Sequence, residues 1–150
     1  VYAGRMTYRN IKNHYVLIGF NELSINMIRE LYDECPSARI LLMSGMESAT
    51  VRHRIQSALP VEVERQVLVY FGNIESIEEL QRLNIESAIE VYVLGDEERY
   101  GRDAKNIAIV HLVSTLRGKC YDGKMMPVYV QFDSIPSYSN IQKMNLPPEV

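Results

Sequence analysis

Two cysteines in 150 residues, Cys35 and Cys120, stand far apart and without metal-ligand spacing. Neither a disulfide framework nor a thiolate zinc site is thereby suggested, and a reducing cytosol suits the chain. No apolar stretch approaches the roughly 20 residues that cross a bilayer, and the opening Val-Tyr-Ala-Gly-Arg has no signal-peptide pattern. Basic runs interleaved with aromatics are also missing; with a net charge of −3 and a pI of about 5.6, nucleic acid is not an expected partner. The chain starts without methionine and stops at Pro-Pro-Glu-Val, so it is read as a piece of a longer protein whose remainder would include a membrane part.

What is present is one domain's worth of alternating strands and helices. Tyr15 to Ile18 is a continuous apolar run closed by Gly19, as in a strand buried on both faces. Leu23, Met27, Ile28 and Leu31 then recur at helical spacing over Glu22 to Asp33. Ile40 to Met43 reads as a second strand closed by Ser44-Gly45, and Val51, Ile55, Ala58 and Leu59 as a helical stripe stopped by Pro60. Val67 to Phe71 and Ile89 to Leu94 are a third and a fourth strand, with a short helix around Ile77, Leu80 and Leu83 between them. A longer helix is expected from Arg102 to Leu116 with Ala104, Ile107, Ala108, His111, Leu112 and Thr115 on its buried face, and Gly118 as its C-cap. Met126 to Phe132 is the fifth strand. Strands separated by helices imply right-handed crossovers, hence a Rossmann-like, doubly wound parallel sheet in three α/β/α layers.

Ligands of such sheets bind beyond the carboxyl ends of the strands. Here that edge comprises Gly19, Phe20, Asn21, Glu22, Leu23 and Ser24, then Ser44-Gly45, Gly72-Asn73, Gly95 to Glu98, and Asp133. The pattern G-x-G-x-x-G laid over the first turn puts Gly19, Asn21 and Ser24 at the three glycine positions. Asn tolerates positive φ and Ser is small, so the turn can survive; the Asn21 side chain would occupy space that a pyrophosphate normally takes. Asn21 also suits the N-cap of a helix beginning at Glu22, a purely structural alternative. At the end of the second strand, where an acid usually meets ribose hydroxyls, stand Met43 and Ser44. NAD(H) or another adenine nucleotide is therefore the expected cofactor class, weakened by Asn21, Ser24 and Ser44. Arg52, His53 and Arg54 would meet a phosphate only if their helix pointed that way.

"NHYVLIGFNELSINMIREL", "VYFGNIESIEELQRLNIESAIEVYVLGDEERYGRDAKNIAIVHLVSTLRG" and "MPVYVQFD" together resemble the N-terminal Rossmann lobe of the regulator of potassium conductance (RCK) domain, over about residues 14–133. The Gly-aromatic-Asn opening looks most like the castor and pollux type ion channel branch. The resemblance implies a gating domain at the cytoplasmic face of the membrane that binds a nucleotide or a cation and acts on a pore-forming segment of the same full-length chain. It also implies self-association as a homodimer or ring, with the helix after the fourth strand as the contact. Residues 1–13 would be the link from a pore helix, or a plain solvated arm, and residues 134–150 a tail toward a following segment.

Calcium is the competing ligand. Asp96, Glu97, Glu98, Asp103 and Asp133 are expected at one end of the sheet, and a hard cation takes several such oxygens; acids beside a helix N-terminus also simply oppose its macrodipole. For catalysis, His14, His53 and His111 are scattered, His14 falls at the amino edge of the sheet, and no nucleophile elbow or Walker loop is found. Three classes of function follow: a ligand-sensing regulatory lobe, an NAD(P)-dependent oxidoreductase domain needing a substrate domain elsewhere, and a ligand-free assembly module.

Overall fold

The computed structural model describes residues 11–97, 101–118, 123–132 and 141–144. Six strands form one sheet in the order β3-β2-β1-β4-β5-β6: β1 (Tyr15–Ile18), β2 (Ile40–Ser44), β3 (Val67–Phe71), β4 (Glu90–Val93), β5 (Val128–Gln131) and β6 (Ile141–Lys143). The first five are parallel. β6, which the sequence pattern does not reveal, pairs antiparallel with β5, Gln131 facing Ile141. The strand order reverses between β1 and β4, the crevice where such sheets bind ligands.

The apolar runs form strands because both of their faces are covered. Tyr15 and Leu17 look into one core and Val16 and Ile18 into the other, and β2 divides in the same way. The first core is closed by α1 (Ser24–Glu34), α2 (Ser48–Ala58) and the single turn α3 (Val61–Glu64), through Met27, Ile28, Leu31, Val51, Ile55 and Val63. The second is closed by α4 (Ile77–Leu80), the turns around Leu83 and Ile85, and α5 (Arg102–Leu116). The three-layer α/β/α architecture is as expected.

Four local expectations are corrected. α1 begins at Ser24 rather than Glu22, because Asn21 turns its side-chain oxygen to the Leu23 amide instead of capping a helix at Glu22. α5 has the expected length but the opposite orientation: Asn106, Ile109, Val110 and Val113 are buried, whereas Ala104, Ala108, His111 and Thr115 are exposed and Ile107 is 42% exposed. This helix is apolar on two sides, so periodicity alone does not choose between them; Ile109, Val110 and Val113 share the second core with Val91, Val93, Val128 and Val130. Gly118 does not cap α5, which ends on an extended Arg117; a Cβ at Gly118 would lie 2.1 Å from the Glu86 carbonyl oxygen, so the glycine serves a close approach. β4 and β5 are each shorter at both ends than their apolar runs, Ile89 to Leu94 and Met126 to Phe132.

Candidate functional site

The turn after β1 is held by backbone contact. Gly19 has φ +99°, and a Cβ there would lie 2.3–2.4 Å from the backbone of Gly95. Gly19 is thus required by the crossing of the β1 and β4 turns, whether or not anything binds. Its own N–H donates to the Met43 carbonyl at 2.7 Å.

The next amides, which in a dinucleotide-binding turn face the pyrophosphate, are satisfied from within. Phe20 N–H donates to Asp96 Oδ1 at 2.9 Å, Asn21 N–H to Ser24 Oγ at 2.9 Å, and Leu23 N–H to Asn21 Oδ1 at 2.8 Å. The two residues that replace glycines therefore supply acceptors. The Asn21 side chain does not stand in the phosphate space: it is fully buried and turned toward β4 and β5, its Nδ2 donating to the carbonyls of Leu94 and Gly95 and to Gln131 Oε1 at 2.8–3.2 Å. Asn106 of α5 reaches the same place, donating to the Leu94 and Gln131 carbonyls. A buried amide network of this kind ties the ends of three elements together.

Asp96 links the rest of the edge. Its Oδ1 accepts from Phe20 N–H and from Ser44 Oγ at 2.5 Å, and its Oδ2 from Gly45 N–H at 2.9 Å. Ser44 Oγ in turn accepts from Met46 N–H. The carboxylate that the end of β2 lacks in sequence is therefore delivered there in space, from the loop after β4. Sequence reading misses this because the two positions are 52 residues apart.

Among the described residues, Asp96 and Glu97 do not converge as a calcium site requires. Asp96 is bound as described, and the adjacent Glu97 turns away to make a two-pronged contact with Arg54 of α2 at 2.9 and 3.0 Å. Asp133 and Glu98 lie outside the described residues, and Asp103 has a partner of its own. Among the described residues no group of three His, Cys, Asp or Glu side chains is placed to hold a metal ion. The physical reason is local: backbone amides and an arginine reach these carboxylates first. Arg54 does point at the edge, its guanidinium 4.9 Å from the centre of the Phe20 ring, and the nearly buried Arg102 meets the exposed Glu22 at 3.1 Å.

Among the described residues, one open space at this edge lies over the ends of β2 and β3. It is a cleft of about 410 Å³ lined by Gly45, Phe71, Gly72, Asn73, Ile74, Glu75, Glu79 and Asp96. Of the expected edge residues, Gly45, Gly72, Asn73 and Asp96 line it. Gly19, Phe20, Asn21, Ser24, Ser44 and Gly95 are buried, Leu23 is half-buried and Glu22 exposed, and none of them lines it. Phe71, Ile74, Glu75 and Glu79 were not expected. A signal for the last pair does exist: Asn73 accepts from the Glu75 amide and Ser76 from the Glu79 amide, the Asx turn and N-cap that Asn-Ile-Glu-Ser-Ile-Glu-Glu encodes.

The histidines are elsewhere. His14 is buried at the amino edge with its Nε2–H on the Leu83 carbonyl at 3.0 Å, and burial lowers its pKa. His53 and His111 are exposed, the latter contrary to its expected place on a buried face. No helix among the described residues is long and apolar enough to cross a membrane.

No protein-family model and no curated protein sequence matches this chain. Solved structures do match in fold. A crystal structure of the GsuK RCK domain aligns with 75% of this chain at a TM-score of 0.56 and 13% identity. GsuK bound to ADP aligns with 86% at 0.58 and 12% identity, and the GsuK channel bound to NAD with 75% at 0.55 and 13% identity. This chain spans 21%, 29% and 18% of those chains, respectively. A mutant 16S rRNA (adenine(1408)-N(1))-methyltransferase from Catenulisporales acidiphilia aligns with 98% at a TM-score of 0.50 and 12% identity, this chain spanning 64% of it. The fold is thus that of the RCK-like Rossmann domain, a fold that enzymes also use.

Proposed function

We propose that this chain is the ligand-sensing lobe of a cation channel or transporter, of the castor and pollux kind, and that its sensing site is the cleft over β2 and β3. The observation that carries the reading is the position of Asp96. Its carboxylate lies at the end of β2, where Rossmann domains meet ribose hydroxyls, and it borders a cleft whose lining includes Phe71. The likeness to a channel's RCK domain, including structures with NAD and ADP bound, supports an adenine-containing ligand.

A ligand at this edge touches residues from β2, β3 and the β4 loop at once, so its binding biases how those loops sit; transmission to a pore is then a population shift. The pore segment, a cytoplasmic position and the role of residues 1–13 as the link belong to this proposal. Self-association belongs to it as well, and is supported by the exposed apolar side of α5 with Ala104, Ile107 and Ala108. A calcium-sensing version has no carboxylate cluster behind it among the described residues. A Rossmann enzyme is the second reading, favoured by the methyltransferase likeness; it would need substrate-binding elements outside this chain.

The test is thermal unfolding of the chain with adenosine, ADP, NADH or calcium. A ligand present at about a hundredfold over its Kd adds about 2.7 kcal/mol to the folded state, which reads as a clear rise in Tm. A rise with an adenine compound is the expected result. No rise with any of them would leave the ligand-free assembly module as the better reading.

A further inference from the structure

We infer that the ligand this cleft accepts is a ribonucleoside carrying no phosphate, and that Asp96 is the residue that imposes this. The inference rests on the cleft being an adenine-ligand site and names the class of ligand.

A Rossmann turn holds a pyrophosphate with uncommitted amides at the start of its first helix, aided by the helix dipole. Here the amides of Phe20, Asn21 and Leu23 already donate to Asp96, Ser24 and Asn21, and the Gly45 amide donates to Asp96. A phosphate arriving at these groups would have to displace side-chain acceptors that are covalently in place. It would also approach the Asp96 carboxylate, and like charges brought together repel. Among the described residues the cleft offers no compensation: its lining includes Glu75, Glu79 and Asp96 and no cation. The described arginines around the edge, Arg54, Arg82 and Arg102, have their guanidinium groups on Glu97, Glu79 and Glu22.

A hydroxyl group meets the opposite situation. Asp96 Oδ1 accepts two hydrogen bonds, whereas Oδ2 accepts one, from Gly45 N–H. A carboxylate oxygen has capacity for two, so Oδ2 retains a lone pair at the cleft wall. A ribose hydroxyl can donate there; a phosphate oxygen, having no proton to give at neutral pH, cannot. The same acidic lining tolerates a neutral or cationic nucleoside.

The experiment is isothermal titration of the chain with adenosine, AMP, ADP and NADH, repeated on Asp96→Asn and on Glu75→Gln. Glu75 is exposed at the rim, so its variant preserves the fold if Asp96→Asn does not. The expected result is a preference for adenosine over ADP of at least about tenfold, equivalent to about 1.4 kcal/mol, narrowing in both variants and most in Asp96→Asn. Tighter binding of ADP or NADH than of adenosine by the unmodified chain would overturn the inference and leave the adenine-ligand site standing. An adenosine preference unchanged in both variants would overturn it too. Binding of none of the four would overturn the adenine-ligand reading itself, and this inference with it.

Discussion

At the amino end of β1, His14 is fully buried with one ring nitrogen on a carbonyl and the other, Nδ1, without a partner among the described residues. At the carboxyl end of the same strand, Asn21 is equally buried, and its amide meets three acceptors while its oxygen takes a backbone N–H. At the amino end the buried ring makes one hydrogen bond. The carboxyl end binds β1, β2, β4 and β5 together through Asn21, Asp96 and Asn106, because a crevice that opens to solvent at a strand-order reversal has to be closed by side chains where helices do not cover it. Each end leaves one buried polar atom without a partner among the described residues, His14 Nδ1 and Asn106 Oδ1, but only the carboxyl end joins four strands.

The largest effect is expected from Gly19→Val. The new side chain would need space already filled by the Gly95 backbone and a φ that valine rarely adopts, so the cooperative thermal transition followed by circular dichroism should be lost. A ligand-binding role for this turn therefore cannot be tested at Gly19.

Asn21→Gly restores the second glycine of the dinucleotide pattern and should nevertheless weaken the protein. It removes the acceptor for Leu23 N–H and the donors to Gly95 and Gln131 inside a buried network. A loss of about 2 to 4 kcal/mol is expected in urea unfolding. NADH should not rescue it, because Asp96 still holds the Phe20 and Gly45 amides. An Asn21→Gly protein that matched the parent in stability would mean the two ends of β1 are not so different.

The amino end is probed by pH. Burial lowers the pKa of His14 below its ordinary value of 6.5, with the Leu83 hydrogen bond partly opposing the shift. Between the lowered folded value and 6.5 the unfolded chain binds the extra proton, so His14 contributes its full stability above 6.5 and loses it as the pH falls. Urea midpoints at pH 7.5 and 5.5 should differ in that direction, and His14→Gln should flatten the difference.

The smallest effect is expected at Arg54. Its pair with Glu97 is well formed but both side chains are about 40% exposed, so Arg54→Ala should change stability by about 0.5 kcal/mol or less, and less still in high salt. A larger loss would mean that its stacking over Phe20 stabilises the edge more than the ion pair does.

Much of the molecule was legible without coordinates. The apolar runs of β1, β2 and β3 sit within one residue of their expected places, since a strand buried on both faces has no other reason to be apolar at four or five consecutive positions. α5 was legible in extent but not in orientation, because Ile107 and Ile109 are equally apolar and only the sheet beneath chooses between them. β6 was not legible: three residues on an edge, two of them exposed, carry no alternation to detect.

The sequence by itself determined the parallel α/β sheet and the carboxyl edge as the place for a site, because hydrophobic period and turn residues are local properties that each segment carries alone. Only the tertiary structure decided what that edge is chemically. Asp96 reaches the end of β2 from the loop after β4, and Asn21 and Ser24 answer the amides that a phosphate would otherwise hold. Such contacts arise from the strand order, which brings distant loops within hydrogen-bond reach, and no spacing along the chain records them.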